Sequence, residues 1–302
     1  MLHVAYCFDK NYQQYFGASL TSLLLNFDGP GEDLCIHVVT DTLDSDFLAK
    51  VEHLRQVFRA TIKTYSPAPE SIQSLTGLMV QREKPTHLTQ ASYYRLLLPQ
   101  LLPESVDRVL YLDSDTVVLS SVRAVFDEDV EESALAAVPD IASEKLSSYW
   151  SLDRYINSGV MLMNLKRWRE HGYARQCIEF VAQNAVKCRL LDQDAINAML
   201  SGDIRLLPSR WNMQVISDCV DVTPLDVGIV HFIGGSKPWH EWYGNPLGKH
   251  YWQYLNASPW RGADPVPPRS AREARRLAKR LWRDRKYGQA VVSYLGSLGP
   301  RS

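Results

Sequence analysis

Arg108-Val109-Leu110-Tyr111-Leu112-Asp113-Ser114-Asp115-Thr116-Val117-Val118-Leu119 runs five strand-forming residues into two carboxylates one residue apart, then resumes as a second apolar run. A strand apolar along its whole length suits a sheet covered on both faces. Two ionised aspartates at the end of such a strand repel each other and are costly there without a counter-charge. Asp113 and Asp115 are i and i+2 in an extended chain, so they share a side. A divalent cation between them removes the repulsion, and a hard metal held by few carboxylates keeps the rest of its shell for water and phosphate oxygens. The alternative is a turn or helix cap after a strand, which is how the nearby Asp127-Glu128-Asp129 reads.

Strand and helix patterns alternate upstream of this stretch. Leu2 to Phe8 reads as a strand ending at Asp9, and Phe16, Leu20, Leu23, Leu24 and Phe27 then recur at helical spacing. Leu34 to Val39 is a second strand, Phe47 to Phe58 repeats the helical pattern, and Thr61 to Tyr65 is a third strand. The alternation predicts an α/β fold, a mainly parallel sheet flanked by helices. Residues 66–88, with three prolines, read as a long loop of the kind that forms lids or binding segments. A helix from about Thr89 to Leu98 follows. Downstream, Ala134 to Val138 and Val160 to Asn164 read as strands, Tyr173 to Lys187 and Asp192 to Leu200 as helices, and Val227 to Phe232 as a late strand. Asp9, Asp113, Asp115, Asp140 and His231 all fall at strand ends, where the ligand crevice of an open α/β sheet lies.

A chain of 302 residues, 45% hydrophobic and 22% charged, can build a sizeable core. Its five cysteines (Cys7, Cys35, Cys177, Cys188, Cys219) lack Cys-x-x-Cys spacing and read as reduced, buried thiols, which predicts a cytoplasmic protein. No signal peptide is evident and no apolar run approaches the ~18 residues of a membrane span. A Gly-x-Gly-x-x-Gly after the first strand and a Gly-Lys-Ser/Thr phosphate loop are both absent, which argues against nicotinamide-dependent redox and ordinary phosphate-loop chemistry.

Several polar groups suggest what the crevice holds. Neutral imidazole suits Mn2+, and oxygen-plus-nitrogen ligation favours Mn2+ over Ca2+, which recommends His231. Gly234 and Gly235 allow close backbone approach to a ligand, and Lys237 supplies a point charge suited to a diphosphate; the plain reading is a glycine turn with a solvated lysine. Asp9, Asn11 and Tyr12 could meet a uracil N–H and stack on the base, or form a helix cap with a core-edge tyrosine. Asp192-Gln193-Asp194 could equally be acids favoured at a helix N-terminus, and Arg95 a surface arginine.

In order, the chain contains Asp9-x-Asn11-Tyr12, Tyr94-Arg95-Leu96, Val109-Leu110-Tyr111-Leu112-Asp113-x-Asp115, Asn157-Ser158-Gly159-Val160, Asn164-Leu165-x-x-Trp168, Asp192-Gln193-Asp194 and His231-x-x-Gly234-x-x-Lys237-Pro238-Trp239. This set resembles glycosyltransferase family 8, the retaining α-galactosyl- and α-glucosyltransferases of bacterial lipo-oligosaccharide and lipopolysaccharide synthesis. The resemblance implies a GT-A fold over residues 1–260 and a UDP-sugar donor, UDP-galactose or UDP-glucose, with Mn2+ or Mg2+ in its place. It implies that Asp113, Asp115 and His231 hold the metal. Asp9, Asn11 and Tyr12 would contact uridine, while Ser114, Gly234 and Lys237 would complete the donor site. Arg95, Asp140, Asn157, Asp192 and Gln193 would surround the transferred sugar. Cys7-Phe8 stands where the family often has small residues, so a differently shaped nucleoside pocket is expected. The 66–88 loop and the 141–155 segment would shape the acceptor site.

The mechanism so implied is departure of UDP with the acceptor hydroxyl attacking from the same face, because a neutral amide such as Gln193 is a poor nucleophile. Two other readings stay open: a catalytically idle sugar-nucleotide or glycan-binding protein, and a nucleotidyl- or phosphoryltransferase. Self-glucosylation on a tyrosine is a minor variant of the transferase reading.

Charge is distributed unevenly. Residues 1–268 carry 23 Lys+Arg against 32 Asp+Glu, while 269–302 carry 10 against 2. Within the tail, residues 261–302, Ala274, Leu277, Ala278, Leu281 and Trp282 fall at helical spacing with arginines opposite. Such a basic amphipathic helix suits an anionic membrane surface through residues 269–286, where a glycolipid acceptor would lie; alternatively its apolar stripe docks on the acidic body. An acidic body argues against nucleic acid.

Overall fold

The computed structural model describes residues 1–68, 90–217 and 226–298. The chain opens with β1 (Leu2–Phe8), a single 3-10 turn, α1 (Gln13–Asn26), β2 (Leu34–Thr40), α2 (Ser45–Phe58) and β3 (Thr61–Tyr65), within a residue or two of the sequence expectation. Most of the predicted 66–88 loop lies outside the described residues. The segment expected as a helix from Thr89 is a 3-10 helix, Gln90–Leu97, which continues into α3 (Leu98–Leu101).

The remaining elements are β4 (Arg108–Leu112), β5 (Thr116–Val118), β6 (Leu135–Pro139), α4 (Ser143–Trp150), β7 (Ile156–Asn164), α5 (Leu165–His171), α6 (Tyr173–Gln183), α7 (Asp192–Leu200), β8 (Ile204–Leu206), β9 (Met213–Val215), β10 (Ile229–Phe232), α8 (Gly248–Ala257), α9 (Ala271–Arg283) and α10 (Tyr287–Gly296). Seven strands form the main sheet in the order β3-β2-β1-β4-β7-β6-β8. It is mainly parallel, since β7 alone runs against its neighbours β4 and β6. The sheet is apolar on both faces, as the continuous apolar strands require. Val4, Tyr6 and Phe8 of β1 enter one hydrophobic cluster with α1, while Ala5 and Cys7 enter the other.

A second, three-stranded sheet, β5-β10-β9, stands apart from the first. The two apolar runs flanking Asp113 and Asp115 therefore belong to different sheets, and the aspartates occupy the crossing between them. The register pairs His231 of β10 with Thr116 of β5. That ladder lays the imidazole beside Asp115, whose carbonyl accepts a hydrogen bond from Phe232 N at 3.0 Å.

The tail contains two helices rather than one. Ser270 caps α9 through a reciprocal capping box with Glu273. The apolar stripe turns toward α10, burying Ala274, Ala278 and Ala290. The arginine face meets the body: Arg276 donates to Ser236 Oγ at 2.9 Å, Arg280 to the Glu241 carbonyl, and Arg283 to the Gly244 carbonyl at 2.6 Å. The face that docks on the body is thus the arginine face, not the Leu/Trp stripe of the docking alternative. Trp282, Val291, Tyr294 and Leu295 are left exposed together along one groove beside Arg275 and Lys279. No helix among the described residues is long and apolar enough to cross a membrane.

Candidate active site

Asp113 and Asp115 leave the end of β4 and face His231, one ligand atom of each lying within 4.8 Å of the others. His231 Nε2 is 3.2 Å from Asp115 Oδ1 and 3.7 Å from Asp113 Oδ2. Its other nitrogen, Nδ1, is 3.0 Å from Asn212 Oδ1. An amide oxygen only accepts, so Nδ1 carries a proton and Nε2 is the nitrogen left to face the carboxylates. Two carboxylates and one imidazole are a donor set for Mn2+ or Mg2+, and their spacing fits a single ion. Beside them the Ser114 hydroxyl is buried with no hydrogen-bond partner among the described residues, as expected of a group that faces a ligand.

The buried Lys237 reaches the same point, its Nζ 2.6 Å from Asp115 Oδ2 and 2.5 Å from the Phe232 carbonyl. Burial opposes ionisation of Asp115, but Lys237 and His231 hold its carboxyl well below the usual range. Gly234, with φ +79°, adopts a conformation that side chains resist and lets the 233–236 segment turn back toward this lysine.

Arg95 is not a surface residue. It is buried, with its NH2 2.9 Å from Asp113 Oδ1, its Nε 3.0 Å from Asp192 Oδ2, and its NH1 2.8 Å from the Ser158 carbonyl. The guanidinium also lies over the Tyr111 ring at 4.4 Å, and the Tyr111 hydroxyl donates to Asp113 Oδ1 at 2.6 Å. Burial works against its charge, but the two carboxylates keep the guanidinium firmly protonated. Asp192 responds differently. Burial raises its carboxyl to about 7, against the pull of Arg95 and with the push of Asp113.

The expected sugar-side residues form one hydrogen-bonded chain. Asp140 Oδ2 accepts from Asn157 Nδ2 at 3.0 Å and from Gln193 Nε2 at 3.1 Å. Gln193 Oε1 accepts from Ser158 N at 3.0 Å. Asn212 Nδ2 donates to Asn157 Oδ1 at 3.0 Å, which joins this chain to His231. By contrast Asp194, the third residue of the motif, points away and holds the Trp150 indole and the Tyr155 hydroxyl.

Asp9, Tyr12, Arg95, Asp113, Ser114 and Asp115 line one cleft together with Cys7 and Phe8. Asp9 does cap the first 3-10 turn, its Oδ1 accepting from Asn11 N at 2.9 Å, so the cap reading was correct as far as that oxygen goes. Asn11 is exposed and is not among the residues lining this cleft.

Two residues in this constellation had no sequence signal strong enough to single them out. Asn212 sits in a short turn after Pro208 with no motif around it. Gly159 was visible only as part of a motif, yet a Cβ there would lie 2.1 Å from His231 Cε1 and 2.8 Å from Asp113 Oδ2. Only glycine lets β7 pass so close to the imidazole.

Comparison with known proteins agrees with this geometry. The sequence model of "Glycosyl transferase family 8" matches residues 3–243. The lipopolysaccharide 1,3-galactosyltransferase of Salmonella typhimurium is 28% identical over 97% of this chain and 89% of its own length. General stress protein A of Bacillus subtilis is 29% identical over 86% of this chain and 95% of its own. For the lipopolysaccharide 1,2-glucosyltransferase of Escherichia coli K12 the figures are 28%, 97% and 88%. Among solved structures, galactosyltransferase LgtC in complex with donor and acceptor sugar analogs superposes with a TM-score of 0.71 at 24% identity, covering 85% of this chain and 96% of that one. The GT-A arrangement expected from the motifs is the fold of this chain.

Proposed function

The chain belongs to glycosyl transferase family 8 and is a hexosyltransferase, and we propose that it moves galactose or glucose from a UDP-sugar to a saccharide acceptor with retention of configuration. One observation carries this reading: two carboxylates, an imidazole and a buried lysine from distant parts of the chain converge where the two sheets meet. Asp113, Asp115 and His231 would hold Mn2+, with Mg2+ as a substitute. Bound there, the ion would neutralise the diphosphate and act as a Lewis acid toward the departing UDP.

The chain's own groups do the rest. Lys237 exchanges Asp115 for a diphosphate oxygen and so adds positive charge where the leaving group gains negative charge. Gly234 and Ser114 border the same diphosphate. Asp9, Asn11 and Tyr12 take the uridine, Asp9 through its oxygen that does not cap the turn. Arg95, Asp140, Asn157, Asp192 and Gln193 orient the hexose. Gln193 is held at both ends, its oxygen accepting from Ser158 and its nitrogen donating to Asp140. That arrangement suits a residue that positions the sugar rather than attacks it, and it favours front-face attack by the acceptor hydroxyl.

In this reading residues 1–260 are the catalytic unit and 261–302 a basic tail. The names of the lipopolysaccharide transferases among its relatives support a lipid-linked saccharide as acceptor. The exposed Trp282-Val291-Tyr294-Leu295 groove beside Arg275 and Lys279 supports residence on the inner face of the cytoplasmic membrane.

The test is a screen of UDP-hexoses by thermal shift with and without Mn2+, followed by measurement of UDP release. A Mn2+-dependent rise in the unfolding midpoint with slow UDP release is expected for one hexose. Binding without UDP release would instead favour an idle sugar-nucleotide-binding protein, and absence of both would refute the proposal.

A further inference from the structure

A second cluster of metal-ligating side chains lies at the other end of β1, in the opposite half of the sheet from the cleft. His3 of β1 is in register with Cys35 of β2, and His37 follows Cys35 by two residues, so all three project from one face. Six residues of extended chain separate His3 from Asp9, about 20 Å at the usual rise. His37 is fully buried, Cys35 nearly so and His3 half-buried.

We propose that His3, Cys35 and His37 form a binding site for a borderline-soft transition metal of the Zn2+ class, separate from the Asp113-Asp115-His231 site and independent of the transferase reading. One ligand atom from each of the three lies within 4.8 Å of the others. His3 Nδ1 and His37 Nε2 face each other at 2.9 Å, with a shared proton between them. A tetrahedral Zn2+ with the usual bond lengths holds its ligand atoms about 3.3–3.6 Å apart, so the ion would take the place of that proton, which shifts to Nε2 of the half-exposed His3 ring, after the rings separate by roughly half an ångström.

The surroundings favour such an exchange. His37 Nδ1 lies 2.9 Å from the Tyr65 hydroxyl. The hydroxyl can accept from Nδ1–H, the outer hydrogen bond that leaves the opposite nitrogen, Nε2, free to ligate. Cys35 binds as thiolate and releases its S–H proton to solvent, leaving one thiolate and two neutral imidazoles around the ion. One sulfur and two nitrogens are a softer set than the two carboxylates and imidazole of the cleft. The two sites should therefore sort metals by class, Zn2+ or Co2+ here and Mn2+ there.

Co2+ added to the full-length protein is the direct test, because only a thiolate ligand gives an intense near-ultraviolet sulfur-to-cobalt band. The band is expected in the unaltered protein and in Cys7→Ser, which changes the cysteine that lines the catalytic cleft among the described residues. It should be lost in Cys35→Ser and in His3→Gln, whose ring is half-exposed and tolerates replacement. Tyr65→Phe, which removes only the outer hydrogen bond, should weaken Co2+ binding by about 10-fold. Absence of the band from the folded unaltered protein overturns the proposal, as does a band that persists in Cys35→Ser or in His3→Gln.

Discussion

His231 Nδ1 lies 3.0 Å from the side-chain oxygen of Asn212, which fixes the proton on that nitrogen and turns Nε2 toward the aspartates. An outer hydrogen bond of this sort usually alters metal affinity by 10–100-fold, roughly, when removed. Asn212→Ala should therefore raise the Mn2+ concentration needed for half-maximal UDP release by at least about 10-fold while leaving the fold intact. A Mn2+ titration of the variant checks this, and an unchanged midpoint would show that the contact is incidental.

Asp113→Asn and Asp115→Asn should each lower transfer by about 100-fold or more, the scale seen when one group that stabilises developing charge is lost. They should differ in their effect on the ligand-free protein. Asp113→Asn leaves Arg95 buried with Asp192 as its remaining carboxylate partner, whereas Asp115→Asn leaves Lys237 without its charged partner. Removing metal with a chelator should stop transfer but not unfold the protein, because those cations already balance the aspartates. Circular dichroism with and without chelator distinguishes the two effects.

Asp192 gives a pH prediction. Its carboxyl rises from an ordinary value near 3.8 to about 7 on folding. Its contribution to stability is fully present below the lower value and is lost as pH rises through the higher one, because only the unfolded chain ionises readily in between. Unfolding free energy should fall across that window with a slope of up to ~1.4 kcal/mol per pH unit from this group. Asp192→Asn should flatten the dependence, which denaturant titrations at several pH values measure.

Gly159→Ala places a methyl 2.1 Å from His231 Cε1, so either β7 or the imidazole must move. Displacement of a catalytic group by about 1 Å commonly costs 100-fold in rate, roughly. Overpacking of this kind destabilises by about 1–3 kcal/mol. Activity should therefore fall by about 100-fold in a protein that still folds, which kcat and the unfolding midpoint, measured together, will reveal.

The tail prediction concerns its exposed groove. Trp282→Ala with Leu295→Ser removes two exposed apolar side chains of the groove, so the fold should persist while affinity for anionic vesicles at low salt drops. Equal flotation of variant and unaltered protein would remove the membrane from the account.

The sequence revealed the scaffold because its signals were local. Leu2 to Phe8, Thr61 to Tyr65 and Asp192 to Leu200 match their elements residue for residue, since an uninterrupted apolar run or a helical period depends on near neighbours alone. The partition of Thr116–Val118 and Ile229–Phe232 into a sheet of their own was not legible, because pairing depends on residues more than a hundred positions apart. Arg95 shows the same limit: within Tyr93-Tyr94-Arg95 nothing reveals that Asp113 and Asp192 arrive from either side. The tail's period was readable, but the faces that its arginines and alanines meet were decided by α10 and by the 236–244 segment.

Strand β7 runs against the rest of the sheet, and so Asn157, Ser158 and Gly159 reach the reaction centre from the beginning of a strand rather than from a loop beyond its end. The residues proposed to orient the transferred hexose are therefore woven into backbone pairing and have little freedom to drift. Diversification of this enzyme would fall on the neighbouring 141–155 connection, and a chimera carrying that connection from another member should accept a different glycan with its donor preference unchanged.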